Sequence, residues 1–161
     1  MNRLSRYVFL LRTFVRGGGY RRAEFLRKHQ YFKAQGEHCY LKSWNFGTEP
    51  DLISFGNNVY IASNVTFINH DVSHAMLNYM DKEHQYEQRR GEIEIGDNVF
   101  IGSKSILLYN VKIGSNVIIG AGSIVNRDIP DGSVAAGIPA RVVGSFADYQ
   151  LKLRKENNYE C

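Results

Sequence analysis

The chain has 161 residues, 43% of them hydrophobic, two cysteines and a formal net charge of +4. That length suits one domain with a sizeable core. Two cysteines, Cys39 and the terminal Cys161, make no disulfide framework and fit a reducing compartment. The longest apolar run near the start, Val8-Phe9-Leu10-Leu11, is too short for a signal-peptide core or a bilayer span, so a cytoplasmic protein is expected.

Residues 1–35 read as a basic helical N-terminal segment. Leu4, Tyr7, Val8, Leu11, Phe14 and Val15 follow helical spacing over 3–16, and Gly17-Gly18-Gly19 ends that run. A second basic helix is expected over 20–33. Residues 1–33 hold nine Lys/Arg against one acid, Glu24, so the rest of the chain is net acidic. A basic, apolar-striped helix can pack on an oligomer with its arginines in solvent, or lie on an anionic membrane, and residues 1–33 are the segment for either contact. No nucleic-acid-binding motif accompanies these cations, and nucleic acid is not an expected partner.

Residues 36–145 are dominated by a repeat. Ile95, Ile101, Leu107, Ile113, Ile119 and Val125 recur every six positions, with Gly after four of them. Val99, Ser105, Val111, Val117, Ser123 and Ile129 fill a second slot four residues later. Upstream, Phe55, Ile61 and Phe67 keep the same register, with Val59, Val65 and Asp71 in the second slot. A period of six is neither the 3.6 of a helix nor the alternation of a plain strand. It fits short strands joined by corners, three hexads to a coil, with inward residues stacked into a column. Asn57-Asn58, Asp97-Asn98 and Asn116 suit the corners, because Asn tolerates the backbone angles of a sharp turn.

Residues 73–90 break the register. They are polar and charged, and they are expected as a loop leaving the column, functional because it adds nothing to the core. The last stretch, 146–161, is expected as a short C-terminal helix, from about Ala147 to Asn157, and a tail, with the helix capping the open end of the column.

Ile119-Gly120-Ala121-Gly122-Ser123-Ile124-Val125, then Ile129-Pro130 and Ala136-Gly137-Ile138-Pro139-Ala140-Arg141, resemble the C-terminal signature of the hexapeptide-repeat acyltransferases. The nearest likeness is to galactoside, maltose and capsular-polysaccharide O-acetyltransferases, and it covers roughly residues 50–145. The resemblance implies an all-β fold with flanking helices, a left-handed parallel β-helix. It also implies a homotrimer with active sites between subunits, acetyl-coenzyme A as donor, and a sugar or surface-polysaccharide acceptor.

Acetyl transfer from a thioester to a hydroxyl needs a neutral base, and an imidazole suits it because its pKa lies near working pH. His70 is the only histidine in the nine hexads and directly precedes the loop. The family's catalytic histidine stands in this place, after Val-Thr-x-x-x, which implies His70 as general base. Asp71 can orient the imidazole or cap a corner, although neighbours on a strand point to opposite sides. Asn69 can hold a sugar hydroxyl or serve the turn. By position, Ser103 and Ala121 match residues whose backbone binds the pantetheine arm in the family. Asn126, Arg127 and Arg141 match its coenzyme-binding positions, with Arg127 and Arg141 facing phosphates; Asn126 stands where Thr is common. Arg127 can equally be a solvated charge, and Lys104 is a weaker coenzyme candidate.

Three other readings remain open. The acceptor can be an antibiotic or amino sugar, or the column can be a noncatalytic scaffold. His70, His74 and His84 can also supply three imidazoles to zinc, as in carbonic anhydrases of this fold. Their spacing argues against that reading, and no metal is expected.

Overall fold

A computed structural model describes residues 19–157. The helix expected over 3–16, and Cys161, lie outside the described residues. The described chain winds into a three-sided column. Sheet I contains β2 (Tyr40–Leu41), β4 (Val59–Ile61), β7 (Val99–Ile101), β10 (Val117–Ile119), β12 (Ser133–Gly137) and β13 (Ala140–Ser145). Sheet II contains β1 (Ala34–Gln35), β3 (Ile53–Phe55), β6 (Ile93–Ile95) and β9 (Val111–Ile113). Sheet III contains β5 (Thr66–Ile68), β8 (Ile106–Leu108) and β11 (Ile124–Val125). Neighbouring strands are parallel, apart from the antiparallel β12–β13 pair.

The hexads set this register. Val99 pairs with Val117, Ile93 with Val111 and Ile106 with Ile124, so each coil takes three hexads. In sheets I and II the first and third residues of each three-residue strand point inward; in sheet III the middle residue does, as Phe67 and Leu107 show. Inward Val59, Ile61, Val99, Ile101, Leu107, Ile113, Val117 and Ile119 are almost wholly inaccessible. Each fully buried aliphatic side chain contributes about 1.5–3 kcal/mol, so the stacked column dominates the stability.

The corner from sheet II to sheet I is the most regular. Asn58, Asn98 and Asn116 all adopt a left-handed conformation, with φ of 57°, 56° and 55°. Their carboxamides form a ladder: Asn58 Nδ2 donates to Asn98 Oδ1 at 2.8 Å, and Asn98 Nδ2 to Asn116 Oδ1 at 3.0 Å. Asparagine is favoured here because it accepts this backbone shape and satisfies its amide on the next coil.

The column begins a full coil earlier than the hexads suggest. β1 and β2 pair with the next coil, and Asn45 bridges to Thr66. Beneath it, α1 (Tyr20–Lys28) buries Ala23, Phe25 and Leu26, and Phe32 meets Phe46 and Phe55 edge-on at 4.9 and 4.8 Å. Among the described residues of the basic segment, Arg22 is buried and donates to the carbonyls of Lys42 and Ser43. Burial pulls its guanidinium down to about 10.

Two expectations change at the far end and in the loop. α3 (Phe146–Glu156) forms with Ser145 as N-cap, accepting from Asp148 N at 3.0 Å, but buries none of its side chains. It touches β12 and β13, and the β12–β13 hairpin, not the helix, continues the column's last coil. The 73–90 excursion is not all loop: α2 (Ser73–Met80) forms there with no buried residue, and Val72, Met76, Tyr79 and Met80 are exposed. No helix among the described residues is long and apolar enough to cross a membrane.

Candidate functional site

His70 stands where the chain leaves sheet III. β5 ends at Ile68, and the excursion is pinched shut at its base by Asp71 N donating to Arg89 O at 3.0 Å and Gly91 N to Asn69 O at 2.9 Å. Side chains alternate across such a ribbon. Asn69 therefore turns inward, at 1% exposure, while His70 faces out, half-buried.

The imidazole is held from the coil below. His70 Nδ1 lies 2.8 Å from Glu49 Oε2, and the Thr48 hydroxyl donates to the same oxygen at 2.7 Å. A carboxylate only accepts, so Nδ1 carries the proton and Nε2 keeps the free lone pair. Glu49 reaches this place because Gly47, with φ of 69°, turns the chain directly beneath Asn69. A Cβ on Gly47 would sit 2.7 Å from Asn69 Oδ1 and 2.9 Å from Phe67 O, so only glycine fits. A 3-10 turn over Pro50–Leu52 follows and returns the chain to sheet II.

Glu49, and not Asp71, is thus the carboxylate on His70. Asp71 points to the other side of the ribbon, as strand alternation requires. It accepts from the Ser73 hydroxyl at 2.6 Å, from Ser73 N at 3.0 Å and from the Tyr109 hydroxyl at 2.6 Å. These bonds, Ser73 foremost, hold its carboxyl well below the usual range, at about 2. Asp71 fastens the start of α2 to the next coil, which fits the corner-capping alternative. Asn69, expected at a sugar hydroxyl or the turn, is buried against Gly47, its carboxamide oxygen and nitrogen both enclosed. Neither residue is placed to meet an acceptor at Nε2.

The five coenzyme candidates fall on separate edges. Ser103 and Ala121 occupy the corner between sheets I and III, on successive coils, with Gly122 N donating to Ser103 O at 2.8 Å. A Cβ on Gly102 would lie 2.4 Å from Ala121 N, while one on Gly122 would meet nothing within 4 Å, so this corner is bare backbone facing outward. Lys104 sits at the corner itself in the left-handed conformation, at φ of 63°. Asn126 and Arg127 lie on the opposite edge of sheet III, above His70. A three-residue strand separates the two edges by roughly 10 Å. Arg141 is the second residue of the outer strand β13 and donates to its neighbour's carbonyl, Ala140 O, at 2.7 Å. Asn126, Arg127 and Arg141 are all exposed, and neither arginine forms an ion pair among the described residues.

The three histidines of the zinc alternative are not brought together. His84 Nδ1 pairs with Asp81 Oδ2 at 2.9 Å, and no group of three metal-ligating side chains forms among the described residues.

Glu49 and Tyr109 carry no motif and escape a reading by hexads. The usable signal was the coil: the stretch Thr48–Leu52 lies one coil upstream of His70, so whatever it contains sits beneath the imidazole.

The family described as bacterial transferase hexapeptide (six repeats) matches residues 92–127. Protein CapG of Staphylococcus aureus is 45% identical over 114 residues, 71% of this chain and 64% of CapG. Among solved structures, a galactoside acetyltransferase in complex with coenzyme A superposes with a TM-score of 0.61 at 28% identity, covering 92% of this chain and 82% of that one. A maltose O-acetyltransferase from Clostridium difficile 630 superposes with a TM-score of 0.55, also at 28% identity, covering 78% and 74%. The chain spans only 45% to 64% of the length of the curated relatives it matches. Residues 92–127 carry the bacterial transferase hexapeptide repeat, and in its coils and its relatives alike the chain is similar to the hexapeptide-repeat acetyltransferases.

Proposed function

We propose that this chain is an acetyl-coenzyme A-dependent O-acetyltransferase acting on a hydroxyl of a sugar or surface polysaccharide, with His70 as general base. The observation that carries the reading is the Glu49–His70 pair, which presents a free Nε2 at the mouth of the excursion. Nε2 takes the acceptor's hydroxyl proton as the oxygen attacks the thioester carbonyl carbon. The tetrahedral intermediate collapses, the carbon–sulfur bond breaks, and the departing thiolate takes the proton back from His70. Glu49 keeps the imidazole in one tautomer and stabilises it while it is charged.

The donor follows from the relatives and from the bare corner. A galactoside acetyltransferase of the same fold binds coenzyme A. Here the exposed backbone at Ser103 and Ala121 suits a pantetheine arm, and Arg127 and Arg141 suit its phosphates. Asn126 offers a carboxamide beside them.

Because one subunit separates the Ser103–Ala121 edge from the His70 edge, the reading includes a homotrimer of left-handed β-helices with sites between subunits. The faces support it. Sheet II turns Ser54, Glu94 and Lys112 outward, whereas sheet III turns out Ile68, Ile106, Leu108 and Ile124, and sheet I turns out Phe100, Ile118 and Val134. The two apolar faces flank the bare corner, where a neighbour would cover them. Cys39, a buried free thiol, suits a cytoplasmic setting.

The test is thiol release from acetyl-coenzyme A across a panel of sugars and oligosaccharides, with isothermal calorimetry for the donor. Acceptor-dependent release and donor binding are expected. A chain that neither binds the donor nor releases thiol is a scaffold, and the reading fails.

A further inference from the structure

Across the base of the excursion, His70 faces Arg90 in an antiparallel bridge. The hydrogen bonds on either side, Asp71 N to Arg89 O and Gly91 N to Asn69 O, define which kind of pair this is. The two residues do not bond to each other's backbone; they form the close, non-hydrogen-bonded pair, whose side chains stand on one face of the ribbon with Cβ atoms roughly 4.5–5.5 Å apart. The Arg90 guanidinium therefore projects on the same side as the imidazole, beside Nε2's approach.

Nothing in the described structure employs that charge. Arg90 is exposed and has neither an ion pair nor a side-chain hydrogen bond among the described residues. Acids around the base of the excursion are otherwise engaged: Glu49 holds His70, Asp71 accepts from Ser73 and Tyr109, and Glu92 pairs with Lys33. Its neighbour Arg89 leans instead toward Tyr109 and Asp71. A cation whose backbone is pinned beside a general base by two hydrogen bonds, and whose guanidinium has no partner among the described residues, is placed to recognise an anion. A guanidinium binds a carboxylate or phosphate through two parallel N–H bonds, which also orients it.

We propose that Arg90 is an acceptor-binding residue that selects a sugar carrying an anionic group, a carboxylate or a phosphate, beside the hydroxyl presented to His70. The proposal rests on the acetyl-transfer reading of His70. The anion on Arg90 fixes which hydroxyl meets Nε2, so Arg90 sets regiochemistry as well as affinity.

The experiment compares wild type, Arg90→Gln and Arg90→Lys on three acceptors: methyl glucoside, methyl glucuronide and glucose 1-phosphate. The two charged sugars distinguish a carboxylate from a phosphate. Wild type is expected to favour at least one of them over the neutral glycoside in kcat/KM. In R90Q that preference should fall roughly 10- to 100-fold, the worth of one charge-assisted contact, and mainly through KM. R90K should keep more of the preference than R90Q. Calorimetry should give R90Q wild-type affinity for acetyl-coenzyme A. No preference in wild type, equal losses on neutral and charged sugars, or weakened donor binding each overturns the assignment. If no sugar is acetylated, the activity reading fails on its own. Saturation-transfer NMR of the same three sugars, with coenzyme A present, then decides Arg90: weaker binding of the charged sugars to R90Q supports it, and equal binding sinks it.

Discussion

Two corners of the same column behave in opposite ways. The corner from sheet II to sheet I repeats itself: Asn58, Asn98 and Asn116 share one backbone shape and one hydrogen-bond ladder. The corner from sheet III to sheet II never repeats. It is Gly47 to Leu52 with a 3-10 turn on the first coil and the whole excursion with α2 on the second. The third coil has Tyr109-Asn110 there, and the fourth has Asn126-Arg127-Asp128. A solenoid gains stability from identical coils, so regularity marks what holds the column up. Departures cost ordering entropy without adding to the column, and here they collect the imidazole, its carboxylate and three arginines on one edge.

This contrast is breakable, and the largest effect belongs to the irregular corner. His70→Ala should lower kcat/KM for acetyl transfer by roughly 100- to 10,000-fold, the usual range for a general base, while thermal denaturation stays near wild type. If activity persists, the base lies elsewhere. Next comes Glu49→Gln. It removes one charged hydrogen bond to the imidazole, so kcat/KM should drop by roughly 10- to 100-fold. An unchanged kcat/KM argues against direct pairing.

The hexads made most of the column legible. Nine inward slots in register foretold the strands from Phe55 onward, and Asn57-Asn58, Asp97-Asn98 and Asn116 foretold their corners. The first coil lay within the expected 36–145 span but carried no readable hexad, because its inward positions are Cys39, Leu41, Ser43 and Phe46, which do not form an aliphatic–glycine repeat. The hydrogen bonds of the site were hidden for another reason. His70 was legible as the histidine at which the register fails. Glu49 was not, because its contact exists only once coils stack and the 3-10 turn shifts the count between them. The excursion read as structureless because the hexad register fails there among charged residues; the helical spacing of Val72, Met76, Tyr79 and Met80 was the overlooked signal for α2, and the helix buries none of its residues. Asp71 was visible as a break in pattern, but which way it faced depended on the pinch at Arg89 and Gly91.

The regular corner gives the third effect, on stability instead of rate. Asn98→Ala breaks two rungs of the ladder and forces alanine into the left-handed region, at a cost of about 1–3 kcal/mol. Urea denaturation reads this, and acetyl transfer per folded molecule should not change. Loss of activity without loss of stability would erase the distinction between the corners.

The smallest effect is a titration. Carbonyl NMR should show Asp71 ionising at about 2. Because the folded value is depressed, its contribution to holding the excursion is complete above the ordinary carboxylate range, near 3.9, and fades as pH falls toward 2. Tyr109→Phe removes one donor and should raise the midpoint. An ordinary midpoint in wild type would mean that α2 is not tied to the column through Asp71.

A double-mutant cycle on kcat/KM asks most directly whether Glu49 acts through His70. In the wild-type background Glu49→Gln should cost roughly 10- to 100-fold, and in the His70→Ala background almost nothing, because no imidazole is left to orient. An equal loss in both backgrounds would show that Glu49 works on something other than His70, and the pair would not be the centre of the site.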